Sequence, residues 1–333
     1  MGSKRKIRIG IIGAGGICQV AHLPNIVQEG SAIASALCDS DTGRAASVAE
    51  RFEIPKWYSE PEEMLRLEKL DAVLIATPTI THLPLCQIAL EYGLDVFVEK
   101  PFARNVQEAR RIVEIAEKNK HILMVGMNHR FRDDTQRMKS ILECGDLGEI
   151  LTVRSAWLRR LGVWGRPYWF TDPDLAGGGV LMDLGLQMID LVLYLLDFPN
   201  ALDVVCSTSH KILELEVEDT ASCFVRFDNN ATFNLEVSWA NCDREDIAYN
   251  TITGSHGIAQ LNPLRVTRRQ RNRIMEITPH GLADEVVLYR TSFQAEILHF
   301  IDSVRNGTTP SSSGREAIAS IELAERLYKS SGI

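Results

Sequence analysis

The sequence lacks a disulfide-like cysteine pattern, an excess of basic residues and metal-ligand spacing. Its seven cysteines are an odd number without regular spacing, and Cys38 and Cys223 lie among apolar neighbours. We therefore predict reduced core cysteines. The formal net charge of −8 at pH 7 argues against nucleic acid and anionic membranes as partners. Zinc-type spacing and a P-loop are missing, so no metal site is predicted.

Long apolar runs are also scarce. The basic N-terminal residues lead into a short strand-like segment, without the apolar stretch and small-residue cleavage site of a signal peptide. No apolar run approaches the ~18 residues that a bilayer-spanning helix needs. These features predict a cytoplasmic protein that makes no contact with a membrane.

The length and composition indicate a two-domain globular protein. The chain has 333 residues, of which 45% are hydrophobic and 24% are charged. This length exceeds that of one ordinary domain and suits two. The regular alternation of strand-like and helix-like segments ends at about residue 127, so we predict one domain over 1–127 and a second over 128–333.

The first half alternates strand-like and helix-like segments, which predicts an α/β domain with a parallel sheet. Ser59 and Glu62 are spaced as a capping box that opens a short helix. Gly93 follows a helical segment, at the position that commonly takes a left-handed conformation. The predicted strands are 7–12, 33–38, 72–76, 96–98 and 122–125, and the main helices are 17–28, 42–52, 83–92 and 106–118.

The second half predicts an α+β domain built on a mainly antiparallel, open-faced sheet. Asn229 and Asn230 separate two strand-like runs as a hairpin turn. The arginines of 265–273 predict a strand or hairpin with solvated charges, and a phosphorylated or carboxylated substrate is the alternative. An open sheet face can pack on a second subunit, so we expect a homodimer or homotetramer.

A glycine-rich turn between the first strand and the first helix predicts a dinucleotide site. Gly13 permits the tight turn, and Gly15 lets the backbone approach a pyrophosphate at the helix N-terminus, which Gly16 and Ile17 open. Asp39 ends the second strand, where an acid can accept hydrogen bonds from the ribose hydroxyls.

The charge of Asp39 favours NAD, because a carboxylate repels the 2′-phosphate of NADP. Arg44 leaves NADP open, since an arginine near the acid can bind that phosphate. Its alternative role is that of a solvated helix residue.

Several further motifs, in order along the whole chain, resemble those of the Gfo/Idh/MocA family of sugar and inositol dehydrogenases. They are Thr77-Pro78 with His82, Glu99-Lys100-Pro101, Asn128-His129-Arg130-Phe131, the glycine-rich stretch from Gly177 to Gly185 that contains Asp183, and Gly254-Ser255-His256-Gly257. The ordered set is more specific than the glycine-rich turn alone.

This resemblance implies residue roles around a nicotinamide. Lys100 would contact both the substrate and the cofactor, beside Glu99 at the end of a parallel strand. Thr77, Pro78 and His82 would line the cofactor channel. The peptide bond before Pro101 is expected to be cis. An exposed ion pair between Glu99 and Lys100 is the alternative interpretation.

The second catalytic stretch of the family departs from its pattern in this chain. The family has Asp-x-Gly-x-His-x-x-Asp, whereas this sequence reads from Asp183 through Gln187 to Asp190. Glutamine can hydrogen-bond a hydroxyl but cannot take or give a proton at neutral pH. Lys100 is therefore predicted as the main acid/base, because burial and a nearby cation make a lysine easier to deprotonate. Asp183 and Gln187 complete the predicted catalytic site: Asp183 orients the lysine or binds a second hydroxyl, and Gln187 hydrogen-bonds the substrate.

Other residues are candidates for the substrate pocket. Asn128 and His129 follow the last strand of the first domain, and His129 is an alternative proton carrier. Trp164 and Tyr168 lie in an aromatic loop before the glycine run, where they could face a sugar ring. The alternatives are a satisfied structural histidine for His129, loop packing for Trp164 and core packing for Tyr168.

The sequence thus predicts an NAD(P)-dependent oxidoreductase that transfers a hydride between nicotinamide and a secondary alcohol or ketone of a sugar, inositol or sugar derivative. Two alternatives stay open. One is a hydrolase or lyase that retains NAD and oxidises a sugar transiently. The other is a non-catalytic dinucleotide-binding sensor or regulator, which the glutamine at position 187 favours and the intact Lys100 opposes.

Overall fold

The chain divides into two compact units in a computed structural model that describes residues 5–28, 30–162 and 169–332. The first unit ends at Asn128 and also includes Arg290–Ile318, and the second contains His129–Tyr289 and Ala319–Ile333. Sequence analysis assigned the whole of 128–333 to the second domain. The segment Arg290–Ile318 instead clusters with the first unit.

The first unit is built on a six-stranded parallel sheet with the order β3-β2-β1-β4-β5-β6. The order reverses between β1 and β4, which is the switch point of a Rossmann fold, where ligands bind at the carboxyl ends of the strands. Every residue of β4 is buried, as expected for a parallel sheet covered on both faces. The strands are Ile7–Ile12 (β1), Ala32–Cys38 (β2), Trp57–Tyr58 (β3), Ala72–Ile75 (β4), Asp95–Val98 (β5) and Leu123–Val125 (β6).

The helices between these strands follow the predicted positions with two differences. The first predicted helix begins instead as a π-turn, Cys18–His22, before it continues as an α-helix. The capping box was wrong: Pro61 takes the first helical position, which proline favours, so the N-cap is Glu60 rather than Ser59, and it makes no side-chain capping bond. The helices are Leu23–Gln28 (α1), Thr42–Arg51 (α2), Pro61–Leu67 (α3), His82–Glu91 (α4) and Val106–Asn119 (α5).

The second unit is built on an eight-stranded sheet with the order β14-β13-β12-β11-β7-β10-β9-β8. Its pairs are antiparallel except for β7 with β10, which run parallel. The arginine-rich run forms a hairpin with Arg271 in its turn, as predicted. The strands are Ile150–Arg160 (β7), Ala201–Ser209 (β8), Thr220–Phe227 (β9), Thr232–Asn241 (β10), Ile247–Gly254 (β11), Gly257–Leu261 (β12), Arg265–Gln270 (β13) and Arg273–Glu276 (β14).

One face of this sheet is covered and the other is open. Along β9 the side chains of Ala221, Cys223 and Val225 are buried, whereas Phe224 between them is exposed. Phe224 pairs across the strands with Val205 of β8, which is 62% exposed. The open face therefore carries apolar side chains in contact with water, and unpaired apolar surface of this kind marks interaction sites.

The longest apolar stretch of the chain lies under the covered face. Pro173–Leu195 is long and apolar enough to cross a membrane, contrary to the expectation from sequence, but 83% of its most apolar window is buried within the protein. It contains a short helix, a glycine run, the π-turn Leu181–Gly185 and helix α8. The remaining helices are Asp133–Glu143 (α6), Pro173–Ala176 (α7), Leu186–Leu195 (α8), Glu285–Asn306 (α9) and Gly314–Ser331 (α10).

Candidate active site

The turn after β1 has a shape that only glycine permits at its first position. Gly13 has a φ of +99°, and a Cβ there would overlap the carbonyl oxygen of Ala76. A Cβ at Gly16 would meet no atom within 4 Å, and one at Gly15 only the Ala76 carbonyl at 4.0 Å. The backbone after Gly13 therefore borders open space, as an approaching pyrophosphate requires.

Asp39 fixes this turn from the end of β2. Its Oδ2 accepts a hydrogen bond from the amide of Ala14 at 2.8 Å, and its Oδ1 accepts from the amide of Asp41 at 2.9 Å. Arg44 binds both oxygens, through Nε at 3.0 Å and Nη2 at 2.7 Å. Burial opposes ionisation, but the Arg44 and amide hydrogen bonds hold the pKa of Asp39 below its usual value. Arg44 is thus an ion-pair partner of the acid, and it is also an exposed residue of helix α2.

The loop after β4 is held by a buried histidine. His82 Nε2 lies 2.9 Å from the carbonyl oxygen of Thr77, and Nδ1 lies 2.9 Å from that of Pro101. Burial lowers the pKa of His82, although both carbonyl contacts oppose this shift. A neutral ring carries one N–H, so it donates to one carbonyl at a time. Pro78 starts the turn Thr79–Thr81 that leads to His82.

Lys100 lies at the carboxyl end of β5, on the same sheet edge as Gly13 and Asp39. It is half-buried, and the Lys100–Pro101 bond is cis, as expected. Glu99 is buried; its Oε2 accepts from the Lys100 amide at 3.0 Å, and His22 Nε2 lies 2.6 Å from Oε1. Burial alone would raise the pKa of Glu99, but the His22 hydrogen bond and the charges of His22 and Lys100 hold it below its usual value.

Asn128 is the last candidate in the first unit. It is buried, and its side-chain amide donates to the hydroxyl of Ser292 at 3.0 Å. This contact ties the end of the sheet domain to helix α9, within the same unit.

In the second unit, Asp183 is presented by the π-turn Leu181–Gly185. Its Oδ2 accepts a hydrogen bond from Trp239 Nε1 at 3.1 Å, and Trp239 is almost completely buried. Phe170 packs against Trp239 with ring centroids 5.9 Å apart. The indole orients one carboxylate oxygen of Asp183, which is itself only partly buried. A π-turn of this type is frequent at functional sites.

Gln187 lies one turn after Asp183, at the start of α8. Its side-chain amide donates to the main-chain carbonyl of Asp183 at 3.3 Å, and the residue is 8% exposed. The glutamine therefore contacts the backbone of Asp183. Asp190, which ends the motif, accepts from Arg130 Nε and Nη2 at 2.7 and 2.6 Å and from Ser320 at 3.0 Å. Both charged members of this pair are fully buried.

Glu218 is a supporting residue that the sequence did not indicate. Its carboxylate accepts from the amides of Gly179 and Leu181 and from the hydroxyl of Tyr328, at 3.1, 2.9 and 2.7 Å. A Cβ at Gly178 would overlap the Tyr328 hydroxyl, and one at Gly179 would overlap Glu218. The glycine run therefore packs against this pair and leads directly into the turn of Asp183.

The remaining substrate candidates divide into two groups. His129 is partly buried and packs edge-on against Trp157, with centroids 5.2 Å apart, and near Tyr289 at 6.3 Å. Trp164 and Tyr168 lie outside the residues that the structure describes.

Comparison with known proteins identifies the two parts of the chain. Residues 7–127 match the model for the oxidoreductase family with an NAD-binding Rossmann fold, and residues 135–260 match the GFO/IDH/MocA C-terminal domain. D-glucoside 3-dehydrogenase of Escherichia coli (strain K12) is 30% identical, over 97% of this chain and 95% of that protein.

The chain belongs to the Gfo/Idh/MocA family. It is accordingly an NAD(P)-dependent oxidoreductase. Another relative, D-xylose 1-dehydrogenase (NADP(+)) 2 of Haloferax volcanii, is 28% identical over 96% of each chain. The fold is also that of levoglucosan dehydrogenase, solved with NADH and levoglucosan, with a TM-score of 0.89 and 21% identity over 98% of each chain.

The Rossmann unit fits the nicotinamide dinucleotide that this family membership implies. The open space over Gly15 and Gly16 can take a pyrophosphate, and Asp39 lies where a ribose would be held. Lys100 follows strand β5 of the same sheet, at the same edge. The residues that would hold a dinucleotide thus converge on one edge of the sheet.

Proposed function

We propose that this family member is a dehydrogenase that transfers a hydride between nicotinamide and a secondary alcohol or ketone of a sugar, inositol or sugar derivative. The observation that carries the proposal is the half-buried Lys100 at the carboxyl end of β5, on a turn fixed by Glu99. The names of the relatives, which act on a D-glucoside and on D-xylose, support a sugar as substrate.

For the cofactor, we propose NAD, with Gly13, Gly15, Gly16 and Ile17 at the pyrophosphate and Asp39 at the ribose. The carboxylate of Asp39 stays ionised and would repel a 2′-phosphate. Arg44 is the group that keeps NADP open, because its guanidinium lies beside Asp39 and is partly exposed. An Asp39→Ala variant is expected to bind NADP more tightly relative to NAD.

Thr77, Pro78, His82 and Glu99 are proposed to border the cofactor channel. His82 would hold the channel loops in place rather than touch the cofactor, since its two ring nitrogens lie at backbone carbonyls of the loops on either side. The loops themselves, rather than the imidazole, are then the surface available to a nicotinamide.

We propose that Lys100 Nζ is the acid/base. When bound, the nicotinamide ring accepts the hydride in oxidation and supplies it in reduction. In oxidation, Lys100 takes the proton of the substrate hydroxyl, and in reduction it returns a proton to the carbonyl oxygen. The negative charge of Glu99, the residue before Lys100, would favour the protonated ammonium group, which suits proton donation to a ketone.

Asp183 and Gln187 are proposed to bind substrate hydroxyls. The hydrogen bond from Trp239 orients Asp183 through one of its carboxylate oxygens. Gln187 replaces the histidine of the family motif and supplies hydrogen bonds without proton transfer. Asn128, Trp164 and Tyr168 stay proposed substrate contacts, and His129 is the alternative proton carrier.

We further propose a homodimer or homotetramer formed through the open face of the second sheet. Val205 and Phe224 form an exposed apolar cross-strand pair there, and such surface is costly to leave in water. A Val205→Glu variant is expected to dissociate the oligomer, as measured by light scattering on a size-exclusion column. A wild-type protein that is monomeric would contradict this proposal.

The Lys100→Met variant tests the catalytic proposal. It removes the proton carrier and keeps an unbranched side chain, so turnover of the best sugar is expected to fall by about 10²–10⁴-fold. Cofactor binding, measured by a separate titration, is expected to persist. Normal turnover alongside normal binding would exclude Lys100 as the acid/base.

The same assays distinguish the two alternative functions. A hydrolase or lyase would release NAD on denaturation of the purified protein and convert a sugar without net formation of NADH. A sensor would bind the dinucleotide and convert no sugar or cyclitol at all.

A further inference from the structure

A buried histidine–glutamate pair lies at the carboxyl end of β5, directly before Lys100. His22 Nε2 is 2.6 Å from Glu99 Oε1; His22 is completely buried and Glu99 is 8% exposed. Both carboxylate oxygens of Glu99 are engaged within the protein, because Oε2 accepts from the Lys100 amide at 3.0 Å.

The pair connects two segments of the candidate site. His22 ends the π-turn Cys18–His22, which follows the glycine-rich turn, and Glu99 lies in the turn that presents Lys100. One hydrogen-bonded path therefore runs from the helix that would face the pyrophosphate to the backbone of the proposed acid/base.

Packing holds both side chains in place. The ring of His22 meets Phe97 and Phe293 edge-on, with centroids 5.3 and 6.2 Å apart. On the other side, a Cβ at Gly126 would come within 3.2 Å of the Glu99 carboxylate. The glycine thus lets the backbone after β6 approach Glu99 closely, and the carboxylate has little room to turn.

The carboxylate of Glu99 is coupled first to the hydrogen-bonded His22 and next to Lys100. The titratable groups that face Glu99 are His22, Lys100, His82 and Cys18. Burial raises the pKa of the Cys18 thiol to about 12, and burial lowers the pKa of His82. Both are neutral at pH 7, which leaves Lys100 and the hydrogen-bonded His22 beside a negative charge.

We propose that His22 and Glu99 are positioning residues for Lys100: they hold its backbone amide and keep a fixed negative charge beside its ammonium group. Only the effect of the pair on catalysis rests on the proposed function. The effect of the pair on the protonation of Lys100 can be measured without turnover.

Three variants separate charge from hydrogen bonding. Glu99→Gln removes the negative charge at constant volume, so Lys100 is expected to lose its proton about one pH unit lower, since nearby opposite charges shift pKa values by about 1–3 units. His22→Leu removes the donor to Oε1 and leaves a buried carboxylate that is easier to protonate, which gives a shift in the same direction. His22→Gln keeps an amide donor and is expected to behave as wild type.

The first unit supplies a matched control at the other end of the same strand. His121 Nδ1 lies 3.3 Å from Asp95 Oδ1, and Asp95 begins β5 while Glu99 follows its last residue. His121→Leu therefore removes a histidine–carboxylate pair from the same strand without touching the Lys100 turn. In this control variant, Lys100 is expected to lose its proton at the same pH as in wild type.

The experiment is the pH dependence of the acylation of Lys100 by acetic anhydride, quantified by mass spectrometry of the peptide that contains it. In parallel, the pH profile of kcat/KM is measured with the best sugar. The expected result is a downward shift of about one pH unit for Glu99→Gln and His22→Leu in both profiles, and none for His22→Gln or His121→Leu.

Titration of Lys100 in Glu99→Gln that matches wild type would overturn the proposal. If His22→Leu does not fold, Glu99→Gln decides the question, because it preserves packing. An acylation shift in a protein without turnover supports the positioning role and counts against the dehydrogenase. The reverse pattern, turnover with no shift in either profile, rejects the positioning role alone.

Discussion

A methyl group at Gly13 should damage the nucleotide turn much more than one at Gly16. The positive φ of Gly13 costs a side-chain-bearing residue about 1–3 kcal/mol, and the new Cβ would also overlap the Ala76 carbonyl. We expect Gly13→Ala to lower the free energy of unfolding by about 2–4 kcal/mol. For a domain of this size the melting temperature would fall by roughly 5–15 °C.

Gly16→Ala is the matched comparison. A Cβ there meets no atom within 4 Å, and alanine in a helical turn is favoured over glycine by roughly 0.5–1 kcal/mol. Its stability should therefore equal or exceed that of wild type, while NAD binding weakens because the methyl group enters the space left for the pyrophosphate. Thermal unfolding and a dinucleotide titration measure the two effects. Equal stability of the two variants would refute the steric reasoning.

Two further predictions concern buried charges in the second unit. Arg130→Met should lower the free energy of unfolding by about 3–5 kcal/mol, because it leaves Asp190 buried without its cation. The double variant with Asp190→Asn should lose less free energy of unfolding than the two single variants together, as a double-mutant cycle would measure. Burial raises the pKa of Glu218, so this carboxyl group holds a proton more tightly in the folded protein than in the unfolded chain. The stability that the protonated group contributes is therefore lost as the pH rises through the raised pKa. The stability deficit of Glu218→Gln should therefore shrink with rising pH in urea titrations, and a deficit that grows would contradict this sign.

The Rossmann half was largely predictable because its signals are local. Strand length, helical spacing and glycine position place β1, β4 and Asp39 without knowledge of distant contacts. Gly93 was predictable for the same reason: it follows Tyr92, the C-cap of α4, with a φ of +78°. The capping box failed because Pro61 takes the first helical position and places the N-cap at Glu60, one residue after Ser59.

The supporting contacts were not predictable, since they join residues far apart in the chain. His22 and Glu99 lie in different βα units, and Glu218 contacts Tyr328 near the end of the last helix. Nothing in the spacing of these residues identifies their partners. The exposure of Gln187 and the partner of Arg44 depend likewise on three-dimensional packing.

Formation of NADH by the purified wild-type protein, with NAD and a panel of sugars and cyclitols, tests the central claim most directly. The account predicts turnover of at least one sugar and loss of that turnover in Lys100→Met, with dinucleotide binding retained. A wild-type protein that binds NAD and reduces it with no member of the panel, and that oxidises NADH with none of the corresponding ketones, would contradict the proposed dehydrogenase.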